Sequence, residues 1–211
     1  MKIIFISGPS GSGKTTLSKR ILLKFKNGIL LSTDNYYETG LISKILSKFV
    51  QGYFDRSISF NYKLFKKDFN YIFKNGISIF ERSYNFKKKT IKNLLNKKNN
   101  IKFLIVEGIF AKEFSNTLNN QKFFFLELKI GRNICMNRVL QRDSTERGKD
   151  KKQAKIDFLK SWDIYKEKVK NKCIKKNSNE FNITKDTNIE LVLEKIFTSF
   201  NKLFEDNYSI N

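Results

Sequence analysis

Residues 8–15 carry side chains and a spacing that suit phosphate chemistry. They read Gly8-Pro9-Ser10-Gly11-Ser12-Gly13-Lys14-Thr15 and fit the pattern G-x-x-x-x-G-K-[S/T] in full. In such a loop the glycines let successive backbone N–H groups surround an anion, the lysine reaches the β- and γ-phosphates of a nucleoside triphosphate, and the final hydroxyl ligates Mg²⁺. The residues predicted to bind the nucleotide here are Gly8, Ser10, Gly11, Ser12, Gly13, Lys14, Thr15 and Thr16.

The segments on either side of this loop are those that its chemistry requires. The apolar run Ile3–Ile6 predicts a buried strand directly before the loop, and apolar residues recur at helical spacing from Lys14 to about Phe25. A strand, a glycine-rich loop and a helix in this order direct the positive end of the helix dipole at the anion. This context favours a nucleotide site over a chance glycine-rich turn.

Strands and helices alternate along the rest of the chain. Further strands are predicted at 28–33, 77–83, 101–106, 123–128 and near 181–183. Helices are predicted at 41–50, 61–73, 133–142 and 189–204, and a long helix follows the polar segment 143–150 and runs to about 173. Residues 90–97 fit a helix or a strand. The alternation predicts an α/β fold, with a parallel sheet flanked by helices on both faces. The length of 211 residues fits a single domain over 1–211.

Charged residues follow the predicted carboxyl ends of these strands, where such sheets bind ligands. Asp34 follows the second strand and Glu107 follows the strand at 101–106. Asp34 is the best candidate for the carboxylate that orients an attacking hydroxyl, and its alternative role is to cap a helix or turn. Four of the seven arginines lie beyond the strand at 123–128, where their planar guanidinium groups would suit phosphate: Arg132, Arg138, Arg142 and Arg147.

Composition excludes several kinds of chemistry. The chain has no histidine, which rules out His-based triads and H-E-x-x-H zinc sites. Its formal charge is +22, but the lysines are spread along the chain, so a solvated surface is favoured over a polyanion site. Cys135 and Cys173 are far apart and match no metal or redox spacing, which favours reduced thiols in a cytoplasmic protein. No apolar run approaches the roughly 20 residues that a membrane helix needs. The N-terminal apolar residues are interpreted as a core strand rather than a targeting segment.

Five further motifs, in order, resemble those of the uridine kinase branch of the P-loop kinases, which includes phosphoribulokinase-like enzymes. Segment 32–37 is similar to S-x-D-x-F-Y, 54–61 to F-D-H-P-x-A-F-D, 84–86 to Y-D-F, 106–109 to a strand ending in E-G-I, and 142–150 to the lid segment R-D-x-x-E-R-G-R-D. The resemblance covers roughly residues 1–175. It implies a P-loop kinase fold with a small acceptor-binding insertion at about 51–90 and a lid at about 142–152.

The resemblance also implies roles for individual residues. Arg142, Arg147 and Lys149 would close over the triphosphate of ATP or GTP, and Glu107 would help Thr15 hold Mg²⁺ through water. Catalysis would fall to Asp34, Lys14, Arg142 and Arg147. The residues expected to contact the acceptor are Asp34, Tyr37, Asp55, Tyr84, Lys89 and Glu107, with Asp55 on the sugar hydroxyls and Tyr84 near the base. A buried core aromatic is the alternative for Tyr84.

Departures from the family motifs lie mainly in the acceptor region. Arg56 and Ser57 replace the His-Pro pair, Asn85 replaces an aspartate, and Lys89 aligns with a histidine. The predicted function is transfer of the γ-phosphate to the 5′-hydroxyl of uridine or cytidine. The altered residues leave open an acidic acceptor, such as a sugar phosphate, pantothenate or glycerate, and a noncatalytic relative.

The predicted partner is a small-molecule substrate. No membrane partner is expected, and nucleic acid is disfavoured. The net charge alone favours a nucleic-acid-associated P-loop ATPase, and a GTPase is less favoured because N-K-x-D is absent from the chain. Homo-oligomers are compatible with the resemblance.

Overall fold

The computed structural model describes residues 1–40, 43, 45–46, 49–50, 53, 56–85, 88, 90–118, 121–145, 148–168 and 178–205. The named strands are β1 (Lys2–Ser7), β2 (Gly28–Ser32), β3 (Ser78–Asn85), β4 (Thr90–Lys98), β5 (Phe103–Glu107), β6 (Phe123–Leu128) and β7 (Ser178–Ile183). The named helices are α1 (Lys14–Lys24), α2 (Tyr62–Asn75), α3 (Ala111–Asn116), α4 (Arg132–Thr145), α5 (Lys151–Lys168) and α6 (Ile189–Glu205).

Five of the strands form the predicted parallel sheet, in the order β2-β5-β1-β6-β7. The central strand β1 lies between β5 and β6, and the chain runs from it to β2 on one side and later to β6 and β7 on the other. The crevice beyond the carboxyl end of such a strand is where α/β sheets bind ligands. The glycine-rich loop follows β1 directly, so it lies at this ligand-binding edge of the sheet, as its motif predicts.

The two faces of the sheet enter separate hydrophobic clusters, because successive strand residues point to opposite sides. Ile3 and Phe5 pack with residues of α2 and α3, whereas Ile4 and Ile6 pack with residues of α1 and α6. Helices on both faces confirm the predicted α/β architecture. Of the helices that the described residues form, none is long and apolar enough to cross a bilayer.

The strands β3 and β4 form a separate antiparallel hairpin. This settles the open prediction for 90–97, which belong to a strand. Most β4 side chains are exposed, so the segment carries no buried face and no alternation that could have identified it as a strand. The expected helix at 41–50 and the end of the helix expected near 173 lie partly outside the described residues.

Candidate active site

The loop between β1 and α1 has the backbone geometry of a phosphate cradle. Helix α1 begins at Lys14, directly after Gly13. Gly11 has a φ of 79°, and a Cβ at this position would lie 2.4 Å from the carbonyl oxygen of Cys135 on α4. The Ser12 hydroxyl is buried and has no hydrogen-bond partner among the described residues. A buried hydroxyl beside a helix N-terminus suits a phosphate oxygen as its partner.

Lys14 folds back over this loop, and its Nζ donates to the carbonyl oxygen of Pro9 at 2.9 Å. Burial lowers the pKa of Lys14 below its ordinary value of 10.5, while the carboxylates of Glu107 and Asp34 oppose that shift. The guanidinium of Arg142 adds to the lowering of the pKa. The lysine therefore lies within electrostatic reach of two carboxylates and a second cation, which is the charge arrangement that phosphoryl transfer needs.

The hydroxyl of Thr15, on the first turn of α1, meets the carboxylate of Glu107 at the end of β5. The Thr15 hydroxyl lies 3.4 Å from Oε1 of Glu107, to which it donates. Glu107 is 5% exposed, and burial raises its pKa; Asp34 raises it further, and Lys14 opposes the shift. Carboxylate and hydroxyl oxygens are the donors that Mg²⁺ prefers. These residues fit a Mg²⁺ site, because a bound cation would stabilise the buried carboxylate in its ionised form.

Asp34 lies in a 3₁₀ turn, Thr33–Tyr36, directly after β2. Its neighbour Asn35 accepts a hydrogen bond through Oδ1 from the backbone N–H of Tyr84, at 3.0 Å. Thr33 is fully buried. The turn is therefore attached to the parallel sheet at its start and to the hairpin at its middle.

Gly108 lets this turn approach β5. A Cβ at Gly108 would lie only 1.8 Å from Oγ1 of Thr33. We expect Gly108→Ala to lower the free energy of unfolding by about 1–3 kcal/mol, because the added methyl must displace the turn that carries Asp34. Urea denaturation measures this effect.

Gly131 offers a matched control, because a Cβ there meets nothing within 4 Å. Gly131→Ala should leave the unfolding midpoint within experimental error. Equal midpoints for Gly108→Ala and the wild type would show that the Thr33 contact does not constrain the turn.

Aromatic rings pack at the end of the turn that carries Asp34. The ring of Tyr37 stacks on Phe60 with centroids 4.4 Å apart, and it lies 4.9 Å from Tyr84. Tyr84 is 7% exposed, and burial raises its pKa to about 12. Both predicted acceptor-site tyrosines therefore belong to one packed aromatic group, which is also what the alternative of a buried core aromatic predicts for Tyr84.

The cations of the predicted lid make local ion pairs. Arg142 donates from Nε and Nη2 to Oδ1 of Asp143, at 3.0 and 2.8 Å. Lys149 lies 2.9 Å from Oδ2 of Asp157 on α5. The guanidinium of Arg142 still acts electrostatically on Lys14, whereas the ammonium of Lys149 pairs with a carboxylate on α5.

Sequence reasoning missed two sets of contacts. Arg138 donates from Nη1 to the carbonyl oxygens of Gly11 and Ser12, at 3.3 and 3.4 Å, and so supports the phosphate loop from α4. The sequence marks Arg138 as one of four arginines that suit phosphate, but it carries no signal for these contacts with the loop carbonyls. The second set joins Asp68 and Arg82, and no motif pointed to it.

The predicted site residues are therefore grouped only in part. The structure brings together Lys14, Thr15, Asp34, Glu107 and Arg142. Ser10 is half-buried in the loop, and Thr16 is exposed on the first turn of α1. The predicted site residues Asp55, Lys89 and Arg147 lie outside the described residues.

A phosphate loop at the centre of a doubly covered parallel sheet, with a carboxylate at the end of the neighbouring strand, defines an ATP-dependent small-molecule kinase of the P-loop type. The chain belongs to the Phosphoribulokinase / Uridine kinase family, whose model matches residues 3–190. This family assignment confirms the resemblance found in the motifs.

Individual relatives agree with the family assignment. The chain is 31% identical to a uridine kinase of Borrelia duttonii over 163 residues, which cover 76% of each protein. It is also 31% identical to a uridine kinase of Borreliella burgdorferi over 171 residues, covering 78% of this chain and 79% of that protein. Its fold resembles D-glycerate 3-kinase from Cryptococcus neoformans var. grubii, with a TM-score of 0.59, 13% identity, and coverage of 87% of this chain and 86% of the other.

Proposed function

We propose that this kinase transfers the γ-phosphate of ATP to the 5′-hydroxyl of uridine or cytidine. The observation that carries the proposal is the meeting of the phosphate loop, the Thr15–Glu107 pair and Asp34 at one edge of the sheet. The names of the relatives from Borrelia and Borreliella support the choice of acceptor.

Each reacting group has a proposed partner. Asp34 accepts the proton of the attacking hydroxyl as the hydroxyl oxygen bonds to the γ-phosphorus. The bond from that phosphorus to the bridging oxygen breaks, and the diphosphate leaves with the electron pair. Lys14 and the backbone N–H groups of the loop hold the phosphates, while Arg142 and Arg147 offset the charge of the transition state.

Mg²⁺ would be held by Thr15 directly and by Glu107 through water, and when bound it supplies charge neutralisation at the phosphate oxygens. On the acceptor side, Asp55 is assigned to the sugar hydroxyls, and Tyr37, Tyr84 and Lys89 to the rest of the acceptor. We assign acceptor binding to about 51–90 and a closing lid, which includes Lys149, to about 142–152.

We also propose the domain organisation, the cellular location and the partners that the sequence predicts. Residues 1–211 form one kinase domain of a cytoplasmic protein, and its partner is a small-molecule substrate rather than nucleic acid or a membrane. GTP can be tested as the donor in place of ATP.

An acidic acceptor is the second candidate. Arg56 and Lys89 stand where the family motifs have histidines, and they add positive charge to the acceptor region. A phosphate or carboxylate on the acceptor would complement that charge. A strong preference for neutral uridine over acidic sugars would argue against this candidate.

The test is release of ADP from Mg-ATP against a panel of acceptors. The panel contains uridine, cytidine, other nucleosides, pantothenate, glycerate and ribulose 5-phosphate, with Asp34→Asn as the inactive control. Turnover with uridine or cytidine that collapses in the variant would support the nucleoside kinase. Turnover only with an acidic acceptor would move the assignment to another branch of the family.

No release of ADP with any acceptor of the panel, from a protein that still binds ATP, would overturn the proposal. It would favour a noncatalytic relative or an ATPase linked to nucleic acid. Hydrolysis stimulated by a polynucleotide in a salt-dependent manner would identify the latter.

Nucleotide binding is expected to be coupled to protonation of Lys14. Burial lowers the pKa of the lysine in the free protein, and bound phosphates would raise it again. At a pH between these two pKa values, Lys14 has partly lost its proton in the free protein but keeps it in the ATP complex. ATP binding should therefore take up a proton. The affinity should fall as the pH rises through the lowered pKa of the free lysine. Calorimetry in buffers of different ionisation enthalpy measures the uptake.

These titrations are best run without Mg²⁺ at a pH above about 8, where the terminal phosphate is fully ionised. Lys14→Arg is the control, because arginine keeps its charge throughout this range. Uptake of the same size in that variant would assign the proton to another group.

A further inference from the structure

Asp68 joins three elements on the acceptor side of the site. Its Oδ2 accepts from the hydroxyl of Tyr36 at 3.2 Å and from Nε of Arg82, and its Oδ1 accepts from Nη2 of Arg82 at 2.9 Å. Arg82 also donates from Nη1 to Oδ1 of Asn93 at 2.6 Å. The carboxylate therefore links α2 to the turn after β2 and, through Arg82, to both strands of the hairpin.

This group is largely shielded from water. The side chains of Arg82 and Asp68 are 14% and 21% exposed, and Tyr36 is 2% exposed. Burial and the Asp68 carboxylate raise the pKa of Tyr36, so its hydroxyl stays a neutral donor. A bidentate arginine–carboxylate pair in such a place has a defined geometry, and removing either partner leaves the other charge poorly compensated.

The group is connected to the turn that carries Asp34. Tyr36 lies two residues after Asp34 in that turn, and its carbonyl oxygen accepts from the backbone N–H of Asn61 at 2.7 Å. Asn35 accepts from the backbone N–H of Tyr84, two residues after Arg82 on β3. Asn35 and Tyr36, which follow Asp34, are thus attached to the hairpin and to α2, whereas strand β2 of the sheet ends at Ser32, two residues before Asp34.

We propose that the Asp68–Arg82 pair positions Asp34, by holding the turn Thr33–Tyr36 against α2 and the hairpin. The assignment rests on the proposed function, in which Asp34 accepts the proton of the acceptor. Asp68 and Arg82 are positioning residues, since they act on the reaction through Tyr36 and Asn35. None of these contacts involves the phosphate loop, so the pair affects the acceptor step and leaves nucleotide binding unchanged.

Arg82→Gln tests the assignment, because glutamine keeps a polar side chain but lacks the charge and the second donor group. We expect kcat to fall by about 10²-fold, the loss that a misplacement of about 1 Å can cause, with the Kd for ATP within about twofold of the wild type. Arg82→Lys should recover part of kcat, since the charge is retained without the bidentate geometry. Arg20→Gln, which removes an exposed ion pair to Glu190, is the matched control.

Tyr36→Phe provides a second, milder test that leaves the ion pair intact. It removes one hydroxyl and should lower kcat by about tenfold, again with ATP binding unchanged. This variant decides the question if Arg82→Gln does not fold. Unchanged kcat in a folded Arg82→Gln, or a parallel loss of kcat and ATP affinity, would show a structural role only and overturn the assignment.

The two proposals fail in different ways. A wild-type protein without turnover on the acceptor panel would overturn the proposed function and, with it, the assignment of the pair. An active wild type whose Arg82 and Tyr36 variants match it in kcat would overturn the assignment alone.

Discussion

Asp34→Asn is expected to lower kcat by about 10²–10⁴-fold, the contribution of a positioned general base. Asparagine has nearly the same size as aspartate and can still cap the turn, but it cannot accept the proton of the attacking hydroxyl. The Kd for ATP should change little, because Asp34 adds negative charge near the phosphates and contributes no favourable contact to them. Steady-state kinetics with the preferred acceptor, together with calorimetric titration of ATP, separate the two effects.

An exposed aspartate on α5 provides the matched control. Asp163→Asn makes the same chemical change away from the site and should keep full activity. If Asp34→Asn retains a tenth or more of the wild-type kcat, the proton acceptor lies elsewhere, and Glu107, the other carboxylate beside Lys14, becomes the next candidate.

Lys14→Met is expected to lower kcat by about 10²–10³-fold, as removal of one preorganised charge from a transition state does. The ammonium is the cation of the loop itself, and its Nζ already lies 2.9 Å from a loop carbonyl. The affinity for ATP should also fall, because in the proposed mechanism the lysine contacts the phosphates before and during the reaction. Kinetics and ATP titration on the same preparation measure both losses.

The stability of the Lys14→Met variant distinguishes a catalytic effect from unfolding. Burial penalises the ammonium in the folded protein, so the methionine variant should unfold at no lower a urea concentration than the wild type. The exposed Lys19 on the same helix offers the control Lys19→Met, which should change neither activity nor stability. A destabilised Lys14→Met protein would show that the lysine is mainly a structural residue of the loop.

The sequence predicted most of the fold because the relevant signals are local. The phosphate loop is a run of eight residues between a short apolar strand and an amphipathic helix, and each part can be read without the others. The inner strands β5 and β6 are apolar runs without alternation, as expected for strands buried on both faces. The hairpin strand β4 has neither a long apolar run nor an alternation of apolar and polar residues, and most of its side chains are exposed.

The sequence by itself also determined that Lys14, Thr15, Asp34 and Glu107 follow strands of one parallel sheet, so their meeting at one edge was predictable from the rule for such sheets. Only the tertiary structure decided the strand order and with it the contact of Thr15 with Glu107, 92 residues apart. It also decided that Arg138 supports the loop, and that Asp68, Arg82 and Tyr36 join. Such contacts depend on how helices and strands pack across the sheet, and neither residue type nor spacing along the chain encodes that packing.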